Sequence, residues 1–245
     1  MFHGGRSGVE LAQGCVAFAK DVPNVDVMIA PPFTALAAVA ETIDRSSIQL
    51  GAQNLYPKDQ GAFTGEISAP FLKECGCKWV IIGHSERREY FMESNDFVAD
   101  KTAAALAHGI GPIVCVGEIL REREAGETLA VVKKEVHAFL DVIAQSKTPV
   151  AIAYEPVWAV GTGRVATPED AEEVHAAIRQ WLKEKDEALA ARTRILYGGS
   201  VKPDNAQKLL ACPNIDGALI GGASLDAASF GAIAKAAQTL ASNAS

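Results

Sequence analysis

The sequence predicts an α/β fold, a (β/α)8 barrel with its first β-strand missing and seven strands visible, as a single domain over residues 1–245. Three observations predict it. Short, continuously apolar runs alternate with longer segments of helical period, which implies a parallel sheet covered on its faces. Chemically capable residues follow the C-terminal ends of several different runs rather than one switch point, which favours a barrel over an open sheet. With 49% hydrophobic residues and no linker, charge block or low-complexity tract, the 245 residues can bury one large core.

The elements follow in order. Val9, Ala12, Val16 and Ala19 mark a first helix with no strand before it. Apolar runs at 25–30, 48–52, 78–83, 112–116, 150–154, 194–197 and 217–220 predict seven strands. Helical periods at 34–44, 95–108, 128–144, 168–189 and 227–240 separate them, and Val174, Ile178, Trp181 and Leu182 turn one face of the fourth onto a core. Eight strands close such a barrel and seven leave two unpaired edges, so a strand is expected ahead of Met1 and a gap beside 25–30.

The stretch 151–167 brings the chemistry into focus. Ala151 to Tyr154 reads as a buried strand that delivers Glu155, and Pro156 ends regular structure there. Apolar residues 157–160 then lead to Gly161-Thr162-Gly163, an apolar tip on a flexible base that reads as a lid. Thr167, Pro168 and Asp170 supply a hydroxyl N-cap, a proline at the first helical position and an acid at the third. A connection that merely contains a glutamate is the competing reading.

His84 follows the strand 78–83 and opens the cluster His84-Ser85-Glu86-Arg87-Arg88. A helix beginning after it would disfavour imidazolium and leave a neutral ring able to donate a hydrogen bond. The alternatives are a packed surface histidine and a structural salt-bridge network. Gly198-Gly199-Ser200 and Gly221-Gly222-Ala223-Ser224 follow the last two strands, where exposed backbone N–H groups can cradle phosphate; tight turning explains either pair alone. The long loop 53–66 has no helical period and carries Tyr56 and Phe63, which either dock on another surface or fold back locally.

Other classes are disfavoured. A net charge of −7 argues against a nucleic-acid surface. Five cysteines without paired spacing suggest free thiols in a reducing compartment. Scattered histidines give no metal-ligand pair, Cys75-Gly76-Cys77 is too tightly spaced for the usual redox motif, and Cys115 reads as core. No signal peptide or membrane span is predicted, which makes the cytoplasm the expected location.

The segment Tyr154-Glu155-Pro156-Val157-Trp158-Ala159-Val160-Gly161-Thr162-Gly163 closely resembles the triosephosphate isomerase family, whose fold is the TIM barrel. The likeness extends to Gly83-His84-Ser85-Glu86-Arg87-Arg88, to 61–66, to Tyr197-Gly198-Gly199-Ser200-Val201 and to Gly221-Gly222-Ala223-Ser224. The resemblance implies cofactor-free interconversion of dihydroxyacetone phosphate and glyceraldehyde 3-phosphate, in glycolysis and gluconeogenesis. By it, Glu155 is the base, His84 the neutral electrophile and Glu86 a supporting acid. Gly161, Ser200, Gly221 and Gly222 hold the phosphate. It also implies a homodimer in which the loop carrying Tyr56, Phe63 and Thr64 enters the neighbouring subunit.

Two departures stand out. Arg164 stands where the family commonly has lysine. The family's first strand ends in an Asn-x-Lys motif, with which Met1 aligns immediately downstream, so little activity is expected of this chain as written. The rival readings are another phosphosugar barrel and a non-catalytic homologue or dimerisation fragment.

Overall fold

The computed structural model of the chain describes residues 1–159 and 166–243. Its centre is a parallel sheet in which each strand pairs with the next in sequence. The strands are β1 (Met28–Ile29), β2 (Gln49–Ala52), β3 (Trp79–Ile82), β4 (Gly111–Val116), β5 (Ala151–Tyr154), β6 (Arg194–Tyr197) and β7 (Gly217–Ala218). All seven expected strands are present among the described residues. β1 and β7 are two residues long and half-buried, whereas every residue of β4 and β5 is buried.

Sequential order has a geometric consequence. Parallel strands joined by right-handed crossovers place all their helices on one face, and the other face curls on itself. Two apolar clusters match these faces. Ile113, Cys115, Ala151 and Ala153, with Met28, Trp79, Ile81, Leu196 and Leu219 against them, come from strands and the residue after β7. The larger cluster joins the alternate strand residues Val80, Ile82, Val114, Val116, Ile152 and Ile195 to helical residues such as Phe139, Ile143, Ile178 and Leu182. Among the described residues β1 pairs only with β2 and β7 only with β6, so the sheet has two free ends.

Local signals fix several boundaries. Arg6–Ala19 forms the first helix. Ser94 caps Asn95–Ala107 by accepting from the Phe97 N–H at 3.2 Å. Thr167 and Asp170 form a reciprocal capping box at the start of Pro168–Lys185, with Pro168 in the first turn as the sequence predicts. The expected helix 168–189 is divided, because Asp186 leaves helical geometry (φ −168°) and caps a second helix, Glu187–Arg192, by accepting from Ala188 and Leu189. The expected helix 34–44 opens as a 3-10 turn, Phe33–Ala35, before Leu36–Ile43.

The loop 53–66 is packed locally at its base. Tyr56 pairs with Ser68, and its ring lies 4.5 Å from that of Phe63 and 6.0 Å from that of Phe97. Beneath it, the buried Lys101 ammonium donates to Glu93 at 2.6 Å and to Asn54 at 2.8 Å.

A candidate acid–imidazole site at the strand ends

Glu155 follows β5 directly, and its N–H donates to the carbonyl of Val116, the last residue of β4, at 2.8 Å. The residue is 2% exposed, so its carboxylate depends on protein donors. Ser85 supplies two of them: its N–H reaches Oε2 and its hydroxyl reaches Oε1, each at 3.0 Å. His84 Nε2 lies 3.1 Å from Oε1. The Cys115 thiol faces the same carboxylate from inside the sheet, and burial first, then the charge of Glu155, pushes its pKa well up.

The backbone around Glu155 leaves no spare room. A β-carbon on Gly117 would sit 1.7 Å from the Glu155 carbonyl oxygen, and one on Gly198 would sit 2.8 Å from Glu155 Cγ. Glycine is therefore a steric requirement at both positions.

His84 is the N-cap of the helix Ser85–Tyr90, so the expected helix start is where the sequence places it. Its Nδ1 accepts from the Glu86 N–H at 3.3 Å, which leaves the ring proton on Nε2, facing Glu155. The Glu86 side chain is largely exposed, with Oε2 3.8 Å from His84 Nδ1. Arg87 and Arg88 turn elsewhere. Arg87 binds Glu93, while Arg88 donates to the carbonyls of Gly83 and Cys115 and to Asn95.

The two glycine turns lie beyond β6 and β7, on the same rim as Glu155 and His84. Ser200 is half-buried, and its carbonyl accepts from Asn205 at 3.0 Å. Gly221 precedes the 3-10 turn Gly222–Leu225, and a β-carbon on Gly221 or Gly222 would meet open space. Gly161 and Arg164 lie outside the described residues. Thr64 and Phe63 are exposed on the 53–66 loop. Among the described residues no group of three or more His, Cys, Asp or Glu could hold a metal ion.

Sequence reasoning missed three partners. Ser85 lies within the His84 motif with no role predicted for it, and Cys115, in the core as the sequence predicts, also faces Glu155. Glu118, buried behind the rim, accepts from Trp158 Nε1 at 2.8 Å, from the Tyr154 hydroxyl at 3.1 Å and from Thr128 at 3.3 Å. Burial raises its pKa. A signal for Glu118 was present: Gly117-Glu118 follows the apolar run of β4 as Glu155 follows β5.

A singly wound parallel sheet with an acid and an imidazole side by side on its C-terminal rim defines an α/β-barrel protein that keeps its chemistry on that rim. A family model described as triosephosphate isomerase matches residues 1–237. A triosephosphate isomerase of Chloroflexus aurantiacus is 55% identical over 222 residues, 90% of this chain and 89% of the relative. One of Herminiimonas arsenicoxydans is 53% identical over 216 residues, 88% and 87% of the two chains. A third, from Herpetosiphon aurantiacus, is 49% identical over 232 residues, 94% and 93%. The chain belongs to the triosephosphate isomerase family, a family of TIM-barrel isomerases. Among the described residues no helix is long and apolar enough to cross a membrane.

Proposed function

We propose that the chain, as one domain over 1–245, carries out the family reaction, moving a proton between adjacent carbons of a triose phosphate through an enediolate. Dihydroxyacetone phosphate and D-glyceraldehyde 3-phosphate are its two substrates. Glu155 is the base, His84 polarises the carbonyl through Nε2–H, and Glu86 supports His84 through its backbone N–H. The observation that carries this reading is the 3.1 Å approach of His84 Nε2 to Glu155 Oε1, with Nδ1 already engaged as an acceptor. Oε1 stands within hydrogen-bonding range of Nε2, where a substrate carbonyl would have to accept. Substrate must therefore displace the carboxylate from His84, and the bonds to Ser85 break as the base moves to the carbon.

Ser200, Gly221 and Gly222, with Gly161, hold the phosphate through backbone donors. The loop bearing Tyr56, Phe63 and Thr64 enters a second copy to form a homodimer, and the protein works in the cytoplasm. No Asn-x-Lys sequence occurs in the 245 residues. A cation facing developing charge in a dry site commonly contributes several kcal/mol, so the chain as written is a weak catalyst.

A coupled assay of purified 1–245 with each triose phosphate tests this. Slow turnover of both trioses is expected, and a rate typical of the family would sink the claim of weak catalysis. Turnover of a different phosphosugar would favour another barrel activity. Silence toward every phosphosugar would favour a non-catalytic homologue.

A further inference from the structure

Glu135 is buried on the helix Thr128–Ala144, in the outer layer, yet its carboxylate reaches the rim. Oε2 accepts from the Gly117 N–H at 2.7 Å, one residue beyond β4. Oε1 lies 3.5 Å from Arg88 Nη1. Those two contacts join the strand ends that carry the reacting pair. Gly117 abuts the Glu155 carbonyl so closely that a β-carbon there would lie 1.7 Å from it, and the Glu155 N–H is bonded to neighbouring Val116. Arg88 donates to the carbonyl of Gly83, the residue before His84, at 2.9 Å and to that of Cys115 at 3.2 Å.

We propose that Glu135 is a positioning residue that, through Gly117 and Arg88, fixes the backbone on which Glu155 and His84 stand. It touches neither reacting atom nor substrate. Its place in catalysis rests on the reading of Glu155 as the base, but its mechanical claim does not. An anionic acceptor binds the Gly117 N–H and the guanidinium together more tightly than a neutral carboxyl can. Ionisation of Glu135 should therefore tighten both strand ends. The charged groups that face it are Arg88 from the helix after β3, Glu122 from the Leu120–Glu124 turn and Glu155 from the end of β5. Burial places its titration at about 7, against an ordinary value of 4.5.

The test uses the full chain labelled with nitrogen-15, with Glu135→Gln and Glu135→Ala beside it. Amide shifts of Gly117 and Glu155 are followed from about pH 5 to about pH 9. A shared inflection near pH 7 at both amides is expected in the unaltered chain and is lost in Glu135→Gln. An inflection at Gly117 with none at Glu155, or at neither, overturns the proposal. In turnover, Glu135→Ala is expected to lower kcat about tenfold or more with KM little changed, since small misplacements of reacting groups are costly. Glu135→Gln, which still accepts from Gly117, is expected to recover much of that loss. A raised KM at unchanged kcat, or no recovery by Gln, would refute the role. If the unaltered chain turns over no triose phosphate, the functional reading fails and the amide titrations alone decide this one. If Glu135→Ala does not fold, the titration and the Gln variant still decide it.

Discussion

Glu118, fully buried, accepts the indole N–H of Trp158 at 2.8 Å and so fixes the start of the segment that leads into residues 160–165. Tyr154 and Thr128 donate to the same carboxylate, which makes it an acceptor for three side chains. Glu118→Leu would remove the acceptor that all three donors share. The expected loss is about 1–3 kcal/mol, the cost of leaving a buried polar group unmatched. Urea denaturation measures it, and near-ultraviolet circular dichroism should show a changed indole environment. An unaltered spectrum would mean that Glu118 does not hold Trp158.

Lys101 is the most enclosed cation among the described residues, and burial lowers its pKa despite the Glu93 partner. Lys101→Met would leave Glu93 buried with Arg87 as its remaining cationic partner. The expected cost is about 3 kcal/mol or more, as for one half of a broken buried pair. Adding Glu93→Leu should lose less than the sum of the two single changes, because the stranded charge goes with it. Additivity in the double variant would contradict this coupling.

Met92 adopts φ 54° although it is not glycine, and the residue is 81% exposed, so little packing offsets the strained backbone. Left-handed geometry costs an L-residue about 1–2 kcal/mol, and glycine returns part of that through its looser unfolded chain. Met92→Gly is therefore expected to stabilise the protein by about 0.5–1 kcal/mol, while Met92→Ala should not. The melting temperatures of the two variants separate strain from side-chain loss.

At Glu135, stability should fall as pH rises from about 4.5 to about 7. Its folded pKa of about 7 lies above the ordinary 4.5, so the protonated form favours folding. That contribution is full below 4.5 and is lost as pH rises through about 7. The shift corresponds to about 3 kcal/mol across the window. Glu135→Gln removes the titration, so the variant should gain on the unaltered chain between mildly acid and mildly alkaline solution. Parallel pH profiles of urea midpoints would rule out this contribution.

What the sequence discloses is what neighbours along the chain decide. The capping box of Thr167 and Asp170, the N-cap position of His84 and the strand that delivers Glu155 are all local, and all were readable. Strand length was not. Residues 25–30 carry the composition of a strand, but only Met28–Ile29 forms one, because a strand's extent is set by its partner and β1 pairs on one side among the described residues. The break at Asp186 was hidden by an apolar period that runs past it, although Asp186-Glu187 is itself a helix start. Ser85 and Cys115 reach Glu155 across 70 and 40 positions, distances that no window along one sequence registers.

The two ends of the sheet bear on how the protein can be handled. Between them, β1 and β7 present N–H and C=O groups with no strand beside them among the described residues, next to half-buried Met28, Ile29 and Ala218. Such margins are templates for another chain; their shortness blunts them, and Phe18 packs on Phe230 between the first and last helices. Crowded refolding or prolonged storage at high concentration would favour precipitation through these margins, so dilution is the first remedy. A lysine placed at either margin would be the second.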